Sequence, residues 1–501
     1  MRTKKTFKNT VWAFAYEAVQ IICSFILPRL ILTAFGSAYN GVTGAITQFL
    51  NVISLFQAGI GGVTIAALYK PLAEKDVHQI SVIVKSTESF LRKVVMVFLG
   101  FSVVLACLYP FSVLDQFDWL FTASLVMIMT ASTFAQYFFG QTYQFLLNAD
   151  QNQRLISMVN IAKLVISTLI SVGMIRMGFG IRAVKLGSAL VFVAAPIFVS
   201  QYTKKKYGLI RNVKENNKVL KQRWDNFGQQ VANFVTANTD LMILSVFSNV
   251  YEVSVYVVYA MILNGVFGLF TPLTSGVGAA FGNMLAKGEH AKVEKNLSIY
   301  EEVVFAAATF LFSVTLVMAM PFIALYTENV SDVNYLRPGF LFVMVGAYMF
   351  RAFRVPYQGI TNAAGHFRQT RNPAFAEAAM NVLLSILLVF KLGLVGVAAA
   401  TLLAYAFRTV RYAAYLSKHI VARRMGIFVK RILLSFSCVL LSYGVSSLLP
   451  FREAENYYIW ACHAVMVAGV VLVFVAAVEW LFYRKDLKEL LRMTKGALRK
   501  K

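Results

Sequence analysis

Charged residues are scarce in this sequence, and acidic ones are the scarcest. Of its 501 residues, 14% are charged, whereas a typical soluble domain carries about 25%. The 23 Asp and Glu face 48 Lys and Arg, so the formal net charge is +25. With 58% apolar residues and a mean hydropathy of +0.64, the chain has too few polar side chains to cover itself against water. The composition excludes a soluble protein and indicates an all-α integral membrane protein.

Signatures of enzymes and metal sites are also missing. The four cysteines fall within or beside apolar runs, and none has the spacing of a metal-ligand pair: Cys23, Cys107, Cys438 and Cys462. The five histidines form no HExxH motif, no P-loop is present, and no loop carries paired carboxylates. We therefore predict no disulfide, no metal, no cofactor and no catalytic residues. The chain is predicted to be a transporter and not an enzyme.

Long apolar runs fill the chain instead, each near the roughly 20 residues that cross a bilayer as a helix. Fourteen transmembrane helices are predicted, at roughly 9–35, 41–69, 86–109, 119–147, 155–177, 181–201, 225–248, 253–284, 297–320, 338–361, 373–391, 394–418, 429–449 and 457–483. The first run lacks a small-residue cleavage site and is too long for a signal peptide, so we interpret it as an uncleaved helix. At 176–185 and 391–394 the connections shrink to tight turns built on glycine.

Basic residues predict the orientation. Alternate connecting segments, counted together with the span ends beside them, hold 38 of the 48 Lys and Arg, the opposite segments hold six, and four lie deeper inside spans. Since cytoplasmic loops are enriched in Lys and Arg, both termini are predicted to be cytoplasmic. The net charge is then mainly a topology signal that brings basic loops to membrane lipids, and no nucleic acid partner is expected.

An internal repeat divides the chain. The segment FGQTYQFLLNADQNQR, from Phe139 to Arg154, matches FRVPYQGITNAAGHFR, from Phe353 to Arg368, at Phe, Tyr, Gln, Asn, Ala and Arg. The offset of 214 spans six helices, so the two halves share one orientation. This predicts two parallel six-helix bundles around a central cavity, which is a transporter architecture. The predicted parts are an N-terminal bundle (1–203), a basic cytoplasmic linker (204–224), a C-terminal bundle (225–418), and two additional helices with a basic tail (419–501).

Five ionisable residues deep inside predicted spans are candidates for the functional site, because charge there is costly and often functional. Arg351 and Arg354 are three residues apart on the tenth span and so share a helix face, which suits a phosphate-bearing ligand. Arg29 follows Pro28 near the outer end of the first span, and it lines a cavity or reaches outward to water. Lys163 likewise lines the cavity or extends to the cytoplasmic surface. Asp240 is a possible ion-coupling site or charge partner, or it makes a structural hydrogen bond.

Two segments resemble bacterial polysaccharide flippases. They are LPRLILTAFGSAYNGVTGAITQFLNVISLFQAGIG in the first two spans, and NAAGHFRQTRNPAFAEAAMNVLLSILLV followed by GLVGVAAATLLAYAFRT in the eleventh and twelfth. The pattern is similar to Wzx-type flippases of the multidrug/oligosaccharidyl-lipid/polysaccharide (MOP) exporter superfamily, whose fold is MATE-like. Of the candidate residues, the resemblance carries over only Arg29, by its position late in the first helix.

The resemblance implies a substrate and a place of action. The substrate would be an undecaprenyl-pyrophosphate-linked oligosaccharide, moved from the cytoplasmic to the outer leaflet of the bacterial plasma membrane by alternating access. The product would supply O-antigen, capsule or exopolysaccharide synthesis, with a polysaccharide polymerase as the expected partner. A lipid II flippase or a multidrug antiporter of the same superfamily is the main alternative. A polymerase or ligase enzyme is less consistent, because it needs a large external loop.

Overall fold

The computed structural model describes residues 2–210, 213–215, 227–270, 277–446 and 454–484. Within these ranges the chain forms α-helices and short 3₁₀ and π segments, with no strand. We number the helices α1 Arg2–Phe35, α2 Ser37–Leu50, α3 Ser54–Glu74, α4 Val77–Leu108, α5 Trp119–Ala135, α6 Gln141–Ala149, α7 Gln153–Arg176, α8 Ile181–Tyr207, α9 Phe227–Phe247, α10 Val250–Gly268, α11 Val277–Ala286, α12 His290–Tyr326, α13 Pro338–Ala363, α14 Phe367–His419, α15 Gly426–Ser446 and α16 Tyr457–Phe482.

Eleven helices in the described residues are long and apolar enough to cross a membrane. One of them, Gln369–His419, is long enough for two crossings and is interrupted at Gly393. The α2–α3 segment is broken by a 3₁₀ turn at Asn51–Ile53, and Val231–Phe247 of α9 is a shorter apolar helix. The number of spans becomes fourteen, as predicted, when Gln369–His419 is counted as two spans and the α2–α3 segment and α9 as one span each. The fold class predicted from the sequence is therefore confirmed: the chain is an all-α, multi-pass membrane protein.

The tight turns predicted at glycine also form. Gly178 has φ +80° and lies between α7 and α8, which begins at Ile181. Gly393 has φ 53° and ψ −130° inside α14. Both conformations are open to glycine and strained for residues with a Cβ. The chain thus reverses without a loop between its eleventh and twelfth spans.

Residues divide by their contacts into two compact units, Met1–Val257 and Val258–Lys501, and the boundary falls inside α10. In the first unit, α1 packs on α7, α8 packs on both α5 and α7, and α2 packs on α9. A buried cluster there joins Leu68, Ile83, Tyr143, Leu146 and Val199. Most of the predicted basic linker, 204–224, lies outside the described residues, although α8 extends into it as far as Tyr207.

The second unit is built on α12 and α13. Helix α13 packs on α12 and α14, and α12 also contacts α15 and α16. An apolar cluster fixes this last contact, with Met318, Cys438, Val467 and Val471 at its centre. The two additional helices predicted at the C-terminus are therefore attached through α12. The basic tail at 485–501 lies outside the described residues.

Candidate functional site

Arg351 lies on α13 among neutral partners. Its Nη1 donates a hydrogen bond to Asn264 Oδ1 at 3.3 Å, and its guanidinium lies 4.0 Å from the centre of the Phe267 ring. Tyr348, one turn earlier, donates to the same Asn264 oxygen at 3.1 Å. No salt bridge to Arg351 is found among the described residues. Its charge is therefore held by an amide dipole and an aromatic face, which attract a cation without neutralising it.

Arg354 faces a different helix. Its Nη1 lies 2.7 Å from Glu377 Oε1 on α14, and the other oxygen of Glu377 accepts a hydrogen bond from Arg408 Nη1. The side chains of Glu377 and Arg408 are 0% and 1% exposed, whereas Arg354 is 12% exposed. One buried carboxylate thus bridges two arginines, which we call the Arg354–Glu377–Arg408 triad.

The triad lies deep along its helices. Arg354 precedes the end of α13 by nine residues, Glu377 follows the start of α14 by ten, and Arg408 precedes its end by eleven. At 1.5 Å per residue these positions are about 14, 15 and 16 Å from the helix ends. The hydrogen bond between Asn381 and Thr401 shows that α14 folds back on itself, so all three ends lie on one side. The three charges are therefore at one level.

The charge balance of this region is positive. Three arginines (Arg351, Arg354 and Arg408) face one carboxylate (Glu377), which leaves two positive charges. Positive charge inside a membrane-spanning helix is costly when no counter-charge balances it. Because guanidinium forks match carboxylate and phosphate oxygens, an anionic ligand is the natural counterpart.

The candidates of the first unit have separate surroundings. Lys163 lies on α7 with Nζ 4.9 Å from the centre of the Phe192 ring on α8. Asp240 on α9 is buried and accepts a 2.6 Å hydrogen bond from Tyr256. Arg29 is half-buried on α1, which continues through Pro28 without a break. The three residues thus lie on three different helices, and their roles in binding or ion coupling stay predictions.

Several polar residues inside the spans hold helices together. Asn51 donates to Gln48 at 3.2 Å and to Asn238 at 3.3 Å, and Tyr137 donates to Gln57 at 2.7 Å. These contacts fit the common structural role of polar residues between membrane helices.

A second buried charge network is not predicted from the sequence. Glu301 and Glu302 on α12 are buried, and they pair with Arg423 and with Arg431 of α15. The guanidinium of Arg431 also lies 4.3 Å from the centre of the Tyr483 ring. The basic stretch from Arg408 to Arg431, which includes the adjoining span ends, is predicted to lie at the cytoplasmic side, and the structure buries the side chains of Arg408, Arg423 and Arg431. The sequence signal for this network was the pair of neighbouring glutamates in an apolar run that has few other acidic residues.

Metal binding finds no support in the part of the chain that the structure describes. There, no group of three or more His, Cys, Asp or Glu side chains is placed to hold a metal ion. The four cysteines are free thiols.

Comparison with solved structures shows which known proteins share this fold. The chain is similar in fold to a lipid II flippase and to transporters described as members of the MOP superfamily. The lipid II flippase MurJ, in an inward closed conformation, superposes with a TM-score of 0.71 at 15% identity, covering 96% of this chain and 99% of that one.

Two MOP superfamily transporters also superpose. An inward-facing multidrug resistance MATE transporter gives a TM-score of 0.63 at 12% identity, over 80% of this chain and 95% of that one. A transporter from Pyrococcus furiosus, described as having a binding pocket of reverse polarity that suggests a different function, gives 0.57 at 13% identity, over 84% and 96%. No family model and no curated protein sequence matches the chain. At these identities the likeness establishes the fold alone.

Proposed function

We propose that this protein is a flippase for polyprenyl-pyrophosphate-linked oligosaccharides in the bacterial plasma membrane. It would carry the headgroup from the cytoplasmic to the outer leaflet by alternating access, for surface polysaccharide synthesis. The observation that carries the proposal is the excess of two positive charges on Arg351, Arg354 and Arg408 over Glu377, deep inside the membrane-spanning part of a MOP fold.

The charge excess matches the proposed headgroup. A pyrophosphate diester carries two negative charges near neutral pH, so it would neutralise the two unbalanced arginines. The aromatic face of Phe267 and the amide of Asn264 beside Arg351 add surfaces that suit a sugar or a phosphate ester. The lipid tail would stay in the bilayer, where its apolar surface remains out of water.

The membrane potential favours this direction of movement. With the cell interior negative, an anion moving outward gains about 2.3 kcal/mol per charge per 100 mV. A headgroup with two charges would therefore be driven outward without a second gradient. Asp240 remains the candidate for proton or sodium coupling, since it is a buried acid on a membrane helix.

A lipid II flippase is the second candidate function, favoured by the likeness to MurJ over almost the whole of both chains. Its substrate also carries a pyrophosphate, so the charge argument does not separate the two. A multidrug cation antiporter fits less well, because a cationic substrate needs acidic residues in its cavity. An enzyme of polysaccharide polymerisation has no support from the fold.

Transport by the purified protein distinguishes these functions. Proteoliposomes would receive three fluorescent substrates in parallel: a polyprenyl-pyrophosphate oligosaccharide, lipid II and a lipophilic cationic dye. We expect the first to cross between leaflets, with the dye unmoved. Replacing Arg351 and Arg354 by Ala should reduce transport at least tenfold at unchanged membrane abundance, whereas Arg371→Gln, which removes an exposed charge from α14, should not. Movement of lipid II alone would instead establish the second candidate.

The same test is available in cells. Deleting the gene should block surface polysaccharide while lipid-linked oligosaccharide accumulates on the cytoplasmic side. Units that still reach the outer leaflet at the normal rate would refute the proposal.

A further inference from the structure

Glu377 has two guanidinium partners of different kinds. Arg408 lies on the same helix, beyond the reversal at Gly393, so the Glu377–Arg408 pair joins the two arms of α14. Arg354 comes from α13 and is the only member of the triad from another helix. The first contact is internal to one hairpin, and the second connects two helices.

Burial separates the two arginines in the same way. Arg408 is 1% exposed, whereas Arg354 keeps 12% of its side chain exposed. The guanidinium of Arg354 also lies 5.5 Å from the centre of the Tyr405 ring, which supports the cation from one face. Arg354 is therefore the partner that is able to leave Glu377, and Arg408 is the one that keeps the carboxylate in place.

We propose that Glu377 is a built-in competitor for the substrate headgroup, and that Arg354 exchanges between Glu377 and a phosphate group of the lipid-linked pyrophosphate. This inference rests on the proposed function and adds a mechanism of release to it. Carboxylate and phosphate oxygens accept the same kind of charge-assisted hydrogen bond from a guanidinium, so a phosphate oxygen is able to take the place of Glu377 Oε1 on Arg354 Nη1. Throughout the exchange, Arg408 neutralises Glu377.

Arg351 supplies the other half of the site. It lies one turn before Arg354 on α13 and is held by Asn264 and Phe267 with no salt bridge among the described residues. An incoming pyrophosphate would first meet this unneutralised charge and then displace Glu377 from Arg354. When the substrate leaves, Glu377 takes Arg354 back. The competitor thus lowers affinity and speeds release. The binding free energy of the ligand is reduced by the free energy of the Arg354–Glu377 contact that the ligand replaces.

Affinity measurements test the exchange, because the proposal predicts changes of opposite sign. The probe is geranyl pyrophosphate, titrated calorimetrically into the purified full-length protein in detergent. Arg354→Gln should weaken binding about tenfold, and Glu377→Gln should strengthen it about tenfold, each equal to 1.4 kcal/mol at 25 °C. Geranyl monophosphate should show a smaller gain in Glu377→Gln, because Arg351 already serves a single phosphate.

A second variant protects the test against misfolding. Glu377→Gln leaves Arg408 buried without its carboxylate, so the double variant Glu377→Gln with Arg408→Gln removes both charges and frees Arg354 without leaving Arg408 unpaired. It should also bind the probe more tightly than the unmodified protein. Arg371→Gln, an exposed arginine on the same helix, is the control and should leave affinity unchanged.

Two results would overturn the inference: Arg354→Gln binding the probe as well as the unmodified protein, or weaker binding in both Glu377 variants. The second result is what a purely structural ion pair gives. Oligosaccharide transport is a separate readout. If the affinities change as expected but the lipid-linked oligosaccharide does not cross, the exchange site stands and the proposed substrate falls.

Discussion

Four arginines of the second unit are held by three buried glutamates. Arg354 and Arg408 share Glu377, while Arg423 and Arg431 face Glu301 and Glu302. In an interior of low dielectric such groups are tolerated only in pairs, and losing one partner strands the other. The two clusters differ in composition: the first has more arginine than glutamate, and the second has equal numbers. Only the first therefore has an excess of positive charge that suits an additional anion.

The balanced cluster should act as a structural attachment for α15. Replacing Arg431 by Met would leave two buried carboxylates with one arginine, and breaking such a pair costs about 3–5 kcal/mol. We expect the thermal unfolding midpoint of the purified protein, followed by tryptophan fluorescence, to fall clearly. Lys430→Met is the matched control, because this neighbouring side chain is exposed. Equal midpoints for the two variants would show that the cluster contributes no stability.

The sequence predicts that Arg351 and Arg354 lie inside an apolar helix, as they do in α13, but it does not reveal their partners. Asn372-Pro373 suggests a helix start, so Glu377 looks like an acid in a first turn. The helix in fact begins at Phe367, which places Glu377 ten residues inside. The helix continues through Pro373 although the ring removes one intrahelical hydrogen bond, so proline did not mark the helix start that the sequence suggested. Which of the many basic residues would pair with Glu377 depends on tertiary packing.

At the scale of helices, close approach depends on a few glycines. A Cβ added at Gly41 on α2 would lie 1.8 Å from the carbonyl oxygen of Val250, at the start of α10. The nearby side chains of Asn40 and Ser254 form a 2.9 Å hydrogen bond at the same crossing. Two backbones meet here, so there is no flexible side chain that is able to yield.

Gly41→Ala should therefore separate α2 from α10 and destabilise the protein, since overpacking costs about 1–3 kcal/mol or more. Gly62→Ala on α3 is the control, because a Cβ there meets nothing within 4 Å. The control should be neutral or slightly stabilising, as alanine is the better helix former. Size-exclusion profiles and unfolding midpoints of both variants measure the difference. A Gly41→Ala protein as stable as the control would contradict the close crossing of α2 and α10.

Some helix boundaries were predictable because apolar runs and glycine turns are local signals. The predicted span 338–361 matches α13, Pro338–Ala363, within two residues. The α2–α3 segment illustrates the limit of this approach. Its 3₁₀ break at Asn51–Ile53 has no proline or glycine to announce it, and the hydrogen bonds of Asn51 with Gln48 and Asn238 form only in the packed protein.

For the whole molecule, the duplicated pattern extends beyond the segment that revealed it. Tyr143 donates a hydrogen bond to Glu88 at 2.5 Å, and positions 214 residues later hold Tyr357 and Glu302. The cationic partners are different, since Glu302 pairs with Arg431 of α15. A sequence repeat thus predicts equivalent helices, whereas the contacts of each copy depend on the surrounding elements.

The predicted orientation places the two ends of α12 on opposite sides of the membrane. In a protein whose native cysteines are replaced, Glu328→Cys should react with a membrane-impermeant maleimide on intact cells. Lys287→Cys should react only after permeabilisation, because its segment carries the basic residues of a cytoplasmic loop. Both positions are exposed, so a difference in labelling between the two variants would not be due to burial. The opposite labelling pattern would show that the predicted orientation is wrong, and the proposed direction of transport would then be reversed as well.

The single-residue reversal at Gly393 has a consequence for biosynthesis. The arms of α14 on either side have no connecting segment, so the first arm cannot clear the insertion machinery before the second follows. The two arms would enter the bilayer together as a helical hairpin, with Glu377 and Arg408 already opposite each other and able to neutralise part of their charge. The ion pair would then lower the cost of membrane entry before any ligand is present.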